Sequence, residues 1–252
     1  MSHHEGVAGE AHAHGWHYSV PPFLISVGIC VLTIAFSFQF VYHSPFAAVI
    51  CLGLAVPLIL GGVVGWVNEA MGGGEGLSYA AMGWFILAEA MIFLGMFASY
   101  WFMRLEAPVW PPAGTPAIPT LLPLVMTATL VASSLTIHHG ESLLHRGDHG
   151  GFTRWLLLTI VLGAAFLGMS AYEWSHLIGE GFTTATNVYG TVFFSITGFH
   201  GAHVLIGVSI FLAGLPSALK AKPSLGFVRT AGLYWHFVDI IWFFVVSQVY
   251  FW

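Results

Sequence analysis

Residues 188–215 read VYGTVFFSITGFHGAHVLIGVSIFLAGL, a stretch without a single Asp, Glu, Lys or Arg. A helix that crosses a bilayer needs about 20 mostly apolar residues, because each adds about 1.5 Å across a core of about 30 Å. This stretch exceeds that length. In hydrocarbon its backbone must be satisfied within the segment, and it is far longer than a barrel strand, so it reads as a transmembrane helix. Six similar segments lie at Phe23–Val41, Phe46–Val67, Ala80–Met103, Thr120–Ile137, Trp155–Leu177 and Ala231–Trp252. The connectors carry the expected breakers: Ser44-Pro45, Gly72-Gly73-Gly74, and Trp110-Pro111-Pro112 with Pro116 and Pro119. The sequence therefore predicts an all-α, polytopic membrane protein of seven transmembrane helices.

Composition agrees. Hydrophobic residues make up 57% and charged residues 7% of the 252, against about 45–50% and about 25% in soluble domains. A soluble surface cannot be built from so few charges. The six basic residues are too scattered for a nucleic-acid footprint, so no nucleic-acid partner is expected. Residues 1–20 hold His3, His4, His12, His14 and His17 without Lys or Arg; they lack the positive n-region of a cleaved signal peptide and read as a native polar, His-rich tail. Residues 21–252 form the seven-helix domain. Cys30 and Cys51 sit inside apolar runs and read as small buried thiols.

With the N-terminus in the cytoplasm, the loops on that side hold Arg146, Arg154, Lys220, Lys222 and Arg229, and the other side holds Arg104 alone. This asymmetry predicts N-in, C-out. Tyr18, Trp101, Trp110, Trp155, Tyr250 and Trp252 fall near predicted ends, where aromatic residues anchor spans or pack between helices.

An ionisable side chain in hydrocarbon costs roughly 2.5–3.5 kcal/mol on insertion scales, so each one asks for a partner or a role. Glu89 stands nine residues beyond Ala80, about 13 Å into the third span. A carboxyl hydrogen-bonded between helices, proton exchange and lipid contact all fit it. His200 and His203 share a helix face at i, i+3, as do His236 and Asp239, where the carboxylate is placed to accept from the imidazole. His138 and His139 end the fourth span, and Glu173 belongs near the far end of the fifth in an interfacial structural role. Imidazoles and carboxylates suit metals, but these pairs fall on different helices at different depths, so the chain is expected to hold no metal centre.

At these residues the chain resembles the cytochrome c oxidase subunit III family. The marks are Phe85-Ile86-Leu87-Ala88-Glu89 with Met91-Ile92-Phe93, Trp110-Pro111-Pro112-Ala113-Gly114, and His138-His139. Tyr189-Gly190-Thr191-Val192-Phe193-Phe194 then leads into Thr197-Gly198-Phe199-His200-Gly201-Ala202-His203-Val204, and Tyr234-Trp235-His236-Phe237-Val238-Asp239 leads to Trp242 and Tyr250-Phe251-Trp252. Ala88 and Gly140 depart from the serines common at those places. The resemblance implies a V-shaped two-plus-five helix bundle, with a small arm at about 21–70, a large arm at about 78–252 and phospholipid in the cleft between them. It implies a non-redox subunit of a proton-translocating terminal oxidase in the respiratory chain, with haem and copper in partner subunits, and a location in a prokaryotic cytoplasmic membrane. Subunits I and II and membrane lipids are the implied partners, and cytochrome c or quinol engages those other subunits. Glu89 matches the family's reactive membrane carboxyl, and His203 a residue beside lipid headgroups. Glu89, His200, His203, His236 and Asp239 are thus the candidates for proton-uptake support or the lipid cleft, and Lys220, Lys222 and Arg229 for headgroup contact. Two rival functions remain: a diiron enzyme built on His boxes, separated by metal analysis, and a proton-coupled transporter built on Glu89, separated by flux in liposomes.

Overall fold

The computed structural model describes residues 20–40, 42–71 and 79–251. Seven helices, each long and apolar enough to cross a membrane, account for most of these: α1 (Pro21–Phe40), α2 (Pro45–Met71), α3 (Tyr79–Glu106), α4 (Leu121–His145), α5 (His149–Gly179), α6 (Val188–Leu219) and α7 (Leu225–Val245). Among the described residues there is no strand. The His-rich tail and Trp252 lie outside the described residues.

Two compact units divide the chain, one ending at Trp66 and the other running from Val67 to Trp252. In the first, α1 and α2 approach at backbone distance because glycines remove the side chains between them. A Cβ placed on Gly28 would stand 2.6 Å from Ile59 Cγ1, and one on Gly62 would stand 2.6 Å from Ile25 Cγ1. Small residues at such crossings are how membrane helices gain dispersion contact where lipid supplies no hydrophobic drive. Cys30 is exposed on α1, which corrects the expectation of a buried thiol: the outer face of a membrane helix is as apolar as its core.

In the second unit α7 packs against α3, α4 and α6, while α4 lies along α5 and α5 along α6. Trp235 and Trp242 of α7 are each 1% exposed and form the core. Both indoles find hydroxyls on α4: Trp235 Nε1–H donates to Ser133 Oγ at 2.9 Å and Trp242 Nε1–H to Thr127 Oγ1 at 3.0 Å. Past Val245 the chain continues as a π-helical turn, Val246–Tyr250. Two tyrosines cap its carbonyls: Tyr100 donates to Gln248 O at 2.6 Å and Tyr189 to Val249 O at 2.7 Å. These supply partners that the helix end lacks.

Three helices differ most from their sequence-predicted bounds. α4 runs on to His145, so His138 and His139 lie within the helix, about two turns before its end. α5 starts at His149, capped by the Asp148 carboxylate, which accepts from Gly151 N–H at 2.7 Å. α7 starts at Leu225, where the Ser224 hydroxyl accepts from Phe227 N–H at 3.4 Å. Hydropathy marks what hydrocarbon covers, whereas capping side chains decide where helical hydrogen bonding stops.

Candidate functional site

Glu89 of α3 and His203 of α6 meet, with Glu89 Oε2 and His203 Nε2 3.2 Å apart. The other ring nitrogen, Nδ1, is 2.8 Å from the carbonyl of Phe199, one turn earlier on α6. A carbonyl only accepts, so Nδ1 carries a hydrogen. The contact to Glu89 then holds one proton. Either the carboxyl donates to a neutral imidazole, or an imidazolium donates to a carboxylate, and the hydrogen bond survives in both forms. Aromatic rings enclose the pair. Phe199 meets the imidazole edge-on at 4.6 Å between centroids, Phe93 lies tilted to it at 5.2 Å, and the Tyr234 ring stacks at 6.4 Å. The Tyr234 hydroxyl donates to the His203 carbonyl at 3.1 Å, tying α7 to the same turn. The His203 side chain is 8% and that of Glu89 17% exposed, so the carboxyl is the open side of the pair.

His200, one turn earlier, turns to another partner. Its Nε2–H donates to Val238 O at 3.1 Å, and its ring packs against Trp242 and Phe166. It is fully buried with no partner at Nδ1, and its contacts place it in the α6–α7 core beside the pair rather than in it.

His236 and Asp239 share a face of α7, but a third group stands against both. The Ser134 hydroxyl of α4 is 3.3 Å from His236 Nδ1 and is hydrogen-bonded to the Asp239 carboxyl. This corrects the expected direct imidazole–carboxylate bond: α4 is close enough to insert its hydroxyl. His138 lies beyond, its ring centroid 6.4 Å from that of His236. Near the same helix ends Arg229 Nε pairs with Glu141 Oε1 at 3.3 Å, and His145 lies 3.7 Å from the same oxygen. Of the three headgroup candidates, Lys220 and Lys222 stand exposed on the α6–α7 connector and Arg229 already has a protein counter-ion. Glu173 is 4% exposed and accepts from Tyr250 at 2.6 Å, a buried structural link from the last turns of α5 to the π-helical turn. Trp101 and Trp110 are likewise engaged between elements, Trp101 with Gln248 and Trp110 with Tyr100 and Tyr189. Among the described residues no three His, Cys, Asp or Glu side chains come together as a ligand set.

Ser134 and Glu141 are the contributors that sequence reasoning missed. A serine in an apolar run carries no signal by itself. Glu141 had one, since it follows His138 at i+3 on the face turned to α7.

A family model described as cytochrome c oxidase subunit III matches residues 14–252. Cytochrome c oxidase subunit 3 of Synechocystis sp. is 39% identical over 171 residues, covering 66% of this chain and 72% of that protein. Cytochrome c oxidase subunit 3 of Polypterus ornatipinnis is 33% identical over 263 residues, covering 95% of this chain and 98% of its own. A probable cytochrome c oxidase subunit 3 of Nocardia farcinica is 38% identical over 168 residues, covering 65% of this chain and 82% of that one.

Proposed function

The chain belongs to the cytochrome c oxidase subunit III family, the non-catalytic subunit of a haem–copper terminal oxidase, and on that premise we propose what its residues contribute. It stabilises the catalytic subunit I, associates also with subunit II, and supports proton uptake during oxygen reduction. Haem and copper belong to those partners. The relatives' names favour cytochrome c over quinol as the electron donor, engaged by the other subunits. Phospholipid is the chain's own ligand, with Lys220 and Lys222 at its headgroups. The chain lies in a prokaryotic cytoplasmic membrane with the N-terminus inside, a reading supported by the basic asymmetry of its connectors.

The observation that carries the proton role is the 3.2 Å contact between Glu89 Oε2 and His203 Nε2, with Nδ1 on the Phe199 carbonyl, an arrangement that calls for one proton between the two groups. A pair that keeps its hydrogen bond whichever group holds the shared proton passes it from carboxyl to imidazole without rearranging the helices, so a proton arriving on the other, open carboxyl oxygen is taken up as the shared one moves to His203, and release is the reverse. Glu89 is about 15 Å along α3, deep enough that protons reach it only through neighbours or water. Glu89→Gln retains size, and its amide donates to His203 Nε2, but it cannot titrate. The variant is expected to assemble with normal haem content while proton uptake slows or turnover-dependent inactivation quickens. Glu89→Ala, which leaves His203 Nε2 buried without a partner at about 1–3 kcal/mol, is expected to loosen the subunit as well. If the Gln variant matches wild type in proton uptake, pumping ratio and lifetime under turnover, the pair is structural.

A further inference from the structure

A second polar cluster lies between α4 and α7, away from Glu89, and has the parts of a proton store. Asp239 is 8% exposed, and one of its oxygens, Oδ1, is buried without a hydrogen-bond partner. The Ser134 hydroxyl is the hydrogen-bonding side chain beside this carboxyl. Ser134 has one hydrogen, and with that hydrogen on the carboxylate its oxygen is free to accept. His236 Nδ1, 3.3 Å away, then donates to it. The order is therefore imidazole N–H to hydroxyl, hydroxyl O–H to carboxylate. Such an order fixes the His236 tautomer and leaves Nε2 as the base open to an incoming proton. His138, exposed on α4, stands next to that ring at 6.4 Å between centroids.

We propose that Asp239, Ser134 and His236 form a one-proton store in the α4–α7 interface, filled from the side of His138 and separate from the Glu89–His203 pair. It rests on the reading of this subunit as a support for proton uptake and adds a second group to it. On filling, a proton from water bonds to His236 Nε2; the Nδ1–H bond breaks and its proton passes to Ser134 Oγ; the original Ser134 proton passes to the bonded Asp239 oxygen. An imidazolium and a carboxylate become a neutral imidazole and a carboxylic acid. Neutralisation matters here because a carboxylate with one oxygen unpaired in a buried site is costly, whereas the acid form is not. Emptying is the reverse.

The surroundings isolate this path. From α4, His138 and Glu141 act on His236, and Glu141 is itself held by Arg229. From α6, His200 is bonded to Val238 O, and His203 is bonded to Glu89 of α3. Asp239 is ten residues beyond Arg229, about 15 Å deeper along α7, so the cluster links the basic end of the bundle to its interior.

Infrared difference spectra of the purified oxidase complex, taken across pH and on transfer from H2O to D2O, test this. A protonated carboxyl gives a C=O band that shifts in D2O. One component of the band is expected in wild type and is expected to persist in Glu89→Gln, and that component is expected to vanish when Asp239→Asn is introduced. Ser134→Ala, which cuts the bridge and leaves Asp239 in place, is expected to keep the band and slow its deuterium shift at least tenfold. Should Asp239→Asn fail to assemble, the Ser134→Ala rate decides alone. A carboxyl band unchanged in Asp239→Asn, or exchange in Ser134→Ala at the wild-type rate, overturns the proposal. Because the band is followed in the Glu89→Gln background too, loss of the Glu89 reading leaves this outcome intact.

Discussion

Replacing Gly207 by alanine tests how the large unit is packed, because Trp235 lies directly on it. A Cβ at Gly207 would stand 2.6 Å from Trp235 Cε3 and 2.7 Å from Cζ3. Carbon atoms rest at about 3.5–4.0 Å, so the ring would have to withdraw by about 1 Å. It has little freedom to do so. The indole is 1% exposed, its N–H is held by Ser133 at 2.9 Å, Phe211 packs on it at 5.2 Å, and a Cβ on Gly163 of α5 would meet its other edge at 2.8 Å. Overpacking of this kind costs about 1–3 kcal/mol. Gly201, on the same helix, has nothing within 4 Å of the place its Cβ would take, so Gly201→Ala keeps the gain of about 1 kcal/mol in helix propensity without the clash. That gain is common to both variants and cancels in their difference, which is expected to be about 1–3 kcal/mol in favour of Gly201→Ala. The assay is thermal loss of this subunit from the detergent-purified oxidase, followed by native electrophoresis. Equal stability of the two variants would refute the close approach of Trp235 to α6.

Tyr250→Phe removes the donor to Glu173 and leaves both its oxygens buried without a partner, so a loss of about 1–3 kcal/mol is expected in the same thermal assay. Glu173→Gln combined with Tyr250→Phe should recover part of that loss. A cysteine engineered into the first twenty residues should react with an impermeant maleimide from the cytoplasmic face only; labelling from outside contradicts the N-in reading. Lys220→Gln with Lys222→Gln should reduce the anionic phospholipid that survives detergent exchange, measured by native mass spectrometry, whereas Arg229→Gln should affect it less because Glu141 already neutralises that cation.

The spans were legible because the physics behind them is local. Any long run such as residues 188–215 must bury its backbone polar groups, and only a helix does so within one segment. Helix ends were less legible, since Asp148 and Ser224 set them through single hydrogen bonds that hydropathy does not register. The same division holds at the site. Glu89 announced itself by its cost in hydrocarbon, but its partner depends on how α6 is rotated against α3. His200 and His203 are three residues apart and equivalent as sequence, yet one bonds a carbonyl of α7 and the other the carboxyl of α3. His236 and Asp239 were correctly placed on one face, and the hydroxyl that joins them came from a helix more than a hundred positions away in sequence.

That hydroxyl belongs to a pattern that explains how α4 and α7 find their register without a hydrophobic drive. Thr127 meets Trp242, Ser133 meets Trp235, Ser134 meets His236 and Glu141 meets Arg229. From the first pair to the last, the chain advances along α4 as it retreats by a nearly equal number of residues along α7, as antiparallel helices require. Each contact is modest, since interhelical hydrogen bonds in membranes average about 0.6 kcal/mol. Their common register is what matters. Sliding one helix by a turn would break the ion pair at the basic end and unpair two indoles and an imidazole deeper in, where hydrocarbon offers no water to replace them. Apolar contacts alone would tolerate such a slip, because neighbouring leucines and valines are nearly interchangeable. The polar ladder therefore selects one alignment, and that alignment is also what sets Ser134 against both His236 and Asp239.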